Sequence, residues 1–169
     1  MKYDVIITSQ VISFLYSQYE MFNVQNSQIS IKELARSLSI VESISENDEA
    51  SEFLRFSTPF DFLMAEIEND ETKKKITELV GKKEIQKLED LEKMGEELGI
   101  TKVLEDYENF VKKLEEKKSF KVKLKYKDVL FLYEEIEKSQ KILPNLVKDL
   151  APLYLQLEGI IEKHNNKEK

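Results

Sequence analysis

The chain has 169 residues, 41% of them hydrophobic and 35% charged, with no cysteine and a formal net charge of −7. That length suits one domain around one core, and without thiols there are no disulfides, thiolate metal sites or cysteine nucleophiles. The negative balance argues against a protein that coats nucleic acid by bulk charge. The charge is uneven: residues 1–70 hold four basic and twelve acidic groups (−8), against 22 and 21 in residues 71–169 (+1). Met1-Lys2-Tyr3-Asp4 lacks the basic start of a signal peptide, and no apolar run approaches the roughly 20 residues of a membrane span. A cytoplasmic protein is therefore expected, and the abundance of Lys and Glu suits a thermophile.

In chain order, Ile7, Val11, Phe14, Leu15 and Phe22 recur at helical spacing, which predicts a first, central helix over 5–22. Turn formers at 23–27 close it. The alternation Gln28-Ile29-Ser30-Ile31 reads as a short strand. Ile31, Leu34, Ala35, Leu38 and Val41 then form one face of a second helix, and a short helix carries Ala50, Phe53 and Leu54. Thr58-Pro59 with Asp61 is a helix start, with Phe60, Leu63, Met64 and Ile67 as the buried side. The charged bend at 69–75 is the expected seam between an acidic N-terminal part and a mixed C-terminal part.

Beyond that bend, Ile76, Leu79 and Val80 precede Gly81, and the pattern continues through Ile85, Leu88, Leu91, Met94 and Leu98 to a stop at Gly99. Thr101 caps a helix carrying Leu104, Tyr107, Phe110 and Leu114. A further helix runs from Asp128 to about Ile142, with a strand over 129–133 as the alternative reading. Pro144 breaks the chain, a last helix follows with a kink at Pro152, and residues 164–169 read as a frayed tail. The fold class expected is mainly α: a compact bundle of about seven to eight helices with a minor β element.

That β element is the most regular stretch of the chain. From Ser119 to Lys127 apolar and cationic residues alternate without a break, so a strand would send Phe120, Val122, Leu124 and Tyr126 to one face and Lys121, Lys123, Lys125 and Lys127 to the other. Lysines in such a row stand about 7 Å apart, comparable with successive phosphates of a nucleic-acid strand. The plainer reading is a solvated strand whose lysines keep its edge from pairing. Its partner is open between 28–31, 129–133 and a second copy of the chain.

Other motifs carry less. The only histidine, His164, sits in the polar tail, a poor place for a general base or metal ligand. Glu115-Glu116-Lys117 imitates part of a nuclease site without the acid-bearing strand before it. No glycine cluster forms a phosphate loop, and Glu66, Glu68 and Asp70 lack the glycine of a calcium loop. Residues 31–40 look like the first helix of a helix-turn-helix, but the following 41–52 segment carries Glu42, Glu46, Asp48, Glu49 and Glu52 and no base, which phosphates would repel. Arg36 and Arg55, the only arginines, invite pairing with Glu33 and Glu52, or bidentate contact with a partner's carboxylate or an RNA phosphate.

In its size, the 31–40 helix with Arg36, the acidic 42–52 segment, Phe53-Leu54-Arg55 and the mixed region 120–133, the chain resembles the small helical subunits of archaeal CRISPR surveillance (Cascade) complexes, especially type I-A. The resemblance implies a non-enzymatic subunit of a nucleoprotein complex in antiviral defence, without cofactor, metal or small-molecule substrate. It would be held by other protein subunits and touch single-stranded RNA or DNA backbone through basic residues. The negative balance departs from this, so the nucleic-acid face must be local: Lys121, Lys123, Lys125 and Lys127. The rival class is an acidic helical interaction module or regulator, viral or host, that binds a basic protein.

Overall fold

The computed structural model describes residues 1–25, 30–138 and 144–167. Its elements run β1 (Lys2–Thr8), α1 (Ser9–Gln25), α2 (Ile31–Ser45), α3 (Asp48–Ser51), α4 (Pro59–Glu66), α5 (Asp70–Gly81), α6 (Leu88–Leu98), α7 (Thr101–Glu115), β2 (Ser119–Lys125), α8 (Tyr126–Lys138) and α9 (Pro144–Lys167). The fold is mainly α with one small antiparallel sheet. Its contacts fall into two units: unit 1 joins Met1–Arg55 to Lys117–Lys169, and unit 2 is Phe56–Glu116. The bend at 69–75 lies inside unit 2, where Asn69 caps α5 by accepting from the Thr72 amide. Counted by unit, unit 1 holds 16 basic and 16 acidic groups and is neutral, whereas unit 2 holds 10 and 17, the whole −7.

In unit 1 the single helix expected over 5–22 is corrected: residues 2–8 form β1, and α1 starts at Ser9. Val5 and Ile7 are buried while Asp4 and Ile6 are exposed, a period of two that the apolar Ile6 hides in the sequence. β1 is the missing partner of β2. They pair antiparallel with Lys2 opposite Lys125, Asp4 opposite Lys123 and Ile6 opposite Lys121. The expected short strand at 28–31 lies outside the described residues at 28–29, and Ile31 opens α2. Helix, not strand, follows at 129–133. The inner sheet face buries Val5, Ile7, Phe120, Val122 and Leu124 in a core shared with Val11 and Ile12 of α1, Ile40 and Ile44 of α2, Val129 and Leu132 of α8, and Leu153 and Leu157 of α9.

α2 begins with a capping box, the Ser30 hydroxyl accepting from the Glu33 amide and the Glu33 carboxylate from the Ser30 amide. Its buried side is Ile40, Ser43 and Ile44 rather than the face read from the sequence; Ile31 is 81% and Leu38 41% exposed. The helix runs unbroken through Ser39-Ile40, and α3 is only four residues long, so no recognition helix follows the supposed turn. The tail reading is also corrected, since α9 continues through His164 to Lys167.

Unit 2 is a set of four helices. α4 starts with Thr58 at the N-cap and Pro59 behind it, as read. It buries Leu63, with Ile67 just beyond it, as read, but Phe62 is buried where Phe60 was expected, and Phe60 stays 38% exposed. Leu63, Ile76, Leu91, Leu98 and Leu104 form the core with Ile85, which sits in the connection between α5 and α6. Phe62 packs edge-on against Tyr107 at 5.2 Å and at a 30° tilt on Phe110 at 5.5 Å. Gly99 ends α6 at φ 70°, where the left-handed conformation favours glycine.

A cationic sheet face as candidate nucleic-acid interface

The alternation in β2 becomes a two-sided ribbon. Lys121, Lys123 and Lys125 are exposed and Phe120, Val122 and Leu124 buried. The row ends there, because Tyr126 and Lys127 belong to the first turn of α8. Lys127 stands apart from the other three, in a groove between α2 and α8. Pairing with β1 adds Lys2, Asp4 and Ile6 to the outer face, so four lysines and one aspartate share it.

The hydrogen-bond phase of the sheet sets how close these side chains stand. The Ile6 amide donates to Gln156 Oε1 at 2.8 Å, and Gln156 Nε2 donates to the Ile6 carbonyl at 3.1 Å. Ile6 therefore points its backbone away from β2, and the outward pairs are the non-hydrogen-bonded kind, whose side chains lie closest. Like charges opposite each other, as at Lys2 and Lys125, are unfavourable. Lys2 reaches away to Glu46 at 3.4 Å. Lys121 binds Asp4 at 2.7 Å, and that hydrogen bond, with the charges of Lys121 and Lys123, holds the Asp4 carboxyl below the usual carboxylate range. Lys123 and Lys125 make no ion pair among the described residues.

Both edges of the ribbon are engaged. Gln156 of α9 covers β1 at Ile6, and Asn47 Nδ2 donates to the Lys121 carbonyl at 3.5 Å on the β2 side. The lysines thus lie on a face flanked by helices, not along an open edge. Neither aromatic neighbour is available for base stacking. Phe120 is 5% exposed and packs on Phe53 at 5.5 Å, and Tyr126 stacks on His164 at 3.6 Å. His164, placed in the tail by the sequence, shares a 2.5 Å hydrogen bond between its Nδ1 and the Tyr3 hydroxyl and fastens the end of α9 to the sheet.

Arg36 pairs with neither Glu33 nor Glu52 but with Asp128. Its Nη1 donates to Asp128 Oδ1 at 2.9 Å, and Ser39 Oγ donates to Asp128 Oδ2 at 2.8 Å. The Asp128 side chain is fully buried, at the start of α8, while the Arg36 side chain keeps 29% exposure. Nothing in the local sequence marks this pair, since 92 residues separate its members. Among the described residues no three His, Asp or Glu side chains converge to hold a metal, and no helix is long and apolar enough to cross a membrane. Comparison of this sequence and fold with protein-family models, curated proteins and solved structures found no match.

Proposed function

We propose that the chain is a non-enzymatic nucleic-acid-binding subunit whose outer sheet face, Lys121, Lys123 and Lys125 with Lys2, contacts the backbone of a single strand within a larger nucleoprotein assembly. The observation that carries this reading is a row of closely spaced exposed lysines, Lys121, Lys123 and Lys125, in which Lys123 and Lys125 make no ion pair among the described residues and a single carboxylate, Asp4, held by Lys121, shares the face. The charge division supports the reading, because the −7 lies in unit 2 and leaves unit 1 neutral. A CRISPR surveillance complex, which the sequence resemblance suggests, is the proposed setting. Fluorescence anisotropy with a labelled single-stranded oligonucleotide at low salt tests it. Binding should weaken with salt at about 0.7 decades per decade for each phosphate neutralised, and the Lys121→Glu/Lys123→Glu/Lys125→Glu variant should lose it. Undiminished binding by that variant would refute the assignment.

The second reading rests on unit 2. Seventeen acids on a four-helix unit of 61 residues suit a basic protein partner. A basic protein that co-purifies after nuclease treatment, and is released by salt, supports this role.

A further inference from the structure

Lys127 and Arg36 are both left over from the sheet face, and the structure brings them to one groove. α2 runs antiparallel to β2 beside its edge: Asn47, just past the end of α2, bonds Lys121 early in β2, and Arg36 and Ser39, nearer the start of α2, bond Asp128 just past the end of β2. The groove where β2 hands over to α8 is about 630 Å³ and includes Arg36, Lys32, Lys127 and Phe131 in its lining. That volume is in the range of sites that hold a ligand of nucleotide size.

The groove's lining holds four cations and three carboxylates, with Asp128 buried behind Arg36, so recognition would rest on which charges remain uncommitted. Its acids are engaged. Glu33 accepts from the Ser30 amide and hydroxyl, Glu134 and Glu135 face Lys138 at 3.9 and 3.4 Å, and Asp128 is held by Arg36 and Ser39. Lys32 and Lys127 make no ion pair among the described residues. Arg36 uses one N–H on Asp128, and its planar fork keeps further donors in a fixed orientation. A buried carboxylate that locks an arginine while leaving part of it open is a way to prepare a bidentate phosphate contact. Lys127 is two residues beyond Lys125, so their Cα atoms are at most about 7 Å apart, near one step of a nucleic-acid backbone.

We infer that the α2/α8 groove is a second contact for the same strand: a phosphodiester leaving the sheet at Lys125 is gripped by Arg36 and Lys127, with Phe131 beside the adjoining base. This rests on the proposed binding by the sheet face and adds a defined anchor to it.

The test is anisotropy with a fluorescein-labelled oligo-dT of about 15 nucleotides, long enough to cover both surfaces, at about 50 mM salt. Arg36→Lys keeps the charge but loses the fork, and Lys127→Gln changes an exposed side chain with no structural partner. Each should weaken binding roughly fivefold, with the thermal midpoint of Lys127→Gln unchanged. Lys102→Gln, at an exposed lysine of unit 2 outside the groove, should bind as the parent does. If Arg36→Lys and Lys127→Gln bind like the parent while the triple sheet variant has lost binding, the groove is refuted and the sheet reading stands. If the parent chain does not bind the oligonucleotide at all, both fall. If Arg36→Lys alone is weak and also melts early, while Lys127→Gln is normal, Arg36 is a packing residue and the inference is overturned.

Discussion

The two units use the same helix-rich composition toward opposite surfaces. Unit 2 gathers one apolar core under a skin of 17 acids and 10 bases. Unit 1 is neutral, yet sorts its charge: Lys121, Lys123 and Lys125 line one sheet face while Asp128, three residues beyond the row, is turned fully inward onto Arg36. The chain's −7 thus describes unit 2 and not unit 1, which is neutral and carries a cationic face. The units also differ in what fixes them. Both bury an apolar core, but in unit 1 a part-buried ion pair also joins α2 to α8, and side chains of α9 and α3's cap bond the sheet.

If that difference is real, the units should break by different means. Phe62→Ala removes a fully packed ring from unit 2, between Tyr107 and Phe110, and should cost about 3–5 kcal/mol. Hydrogen exchange should show the loss in α4–α7 with β1 and β2 still protected; uniform loss would mean the units do not act separately. Asp128→Ala strikes unit 1 instead. It strands Arg36 and Ser39, and because Arg36 retains solvent access the cost should be about 2–3 kcal/mol, below that of a fully enclosed pair. Chemical denaturation checks the size, and Asp128→Asn, which still accepts a hydrogen bond, should recover part of the loss.

Much of this was legible in the sequence where local periodicity and chemistry agree. The β2 alternation, the Thr58-Pro59 start and the Gly99 stop are local signals, and each marks a feature of the fold. β1 was not legible, because Val5-Ile6-Ile7 offers three apolar residues in a row and only pairing with β2 decides that Ile6 faces out, at 56% exposure. The α2 face failed for a related reason: Leu38 and Ile31 look like core and stay exposed, while Ser43 is buried by donating to the Ser39 carbonyl one turn back. Within the candidate site, the three strand lysines were readable and Lys127 was misplaced, since nothing in an unbroken alternation says where a strand yields to a helix. Arg36 stands out in the sequence as one of two arginines, but its partner depends on a contact that only the tertiary fold makes.

Backbone strain separates the units less sharply, and a pair of glycine substitutions sharpens it. Lys83 in unit 2 and Lys117 in unit 1 are the described non-glycine residues with positive φ, at 60° and 49°. Lys83 follows α5 with its side chain exposed, so Lys83→Gly should gain about 0.5–1 kcal/mol by relieving the left-handed conformation. Lys117→Gly should gain less, because it gives up the 3.8 Å approach of its ammonium to Asp149, whose side chain is only 9% exposed. Parallel thermal melts compare the two; a larger gain at Lys117 would mean that this ion pair contributes nothing.

The smallest effect expected comes from a single carboxyl. Partial desolvation, a hydrogen bond with Glu108, and the charges of Glu108 and Glu89 raise the Glu92 carboxyl above the usual range, in contrast with Asp4 and Glu33 of unit 1, which lysine and Ser30 hold below it. The signs are opposite. A raised carboxyl binds its proton more tightly when folded, so its ionisation destabilises unit 2 at neutral pH, and stability returns as pH falls through the interval just above the ordinary Glu value. The lowered Asp4 and Glu33 stabilise unit 1 above their ordinary values and lose that contribution as pH falls further. Glu92→Gln should therefore raise the thermal midpoint slightly at about pH 7, and the advantage should shrink toward about pH 4.5 as the parent's Glu92 takes up its proton. An advantage that stays constant across that range would show that the gain does not come from relieving the crowding with Glu108, and that the acidic skin of unit 2 carries its charge without strain at this point.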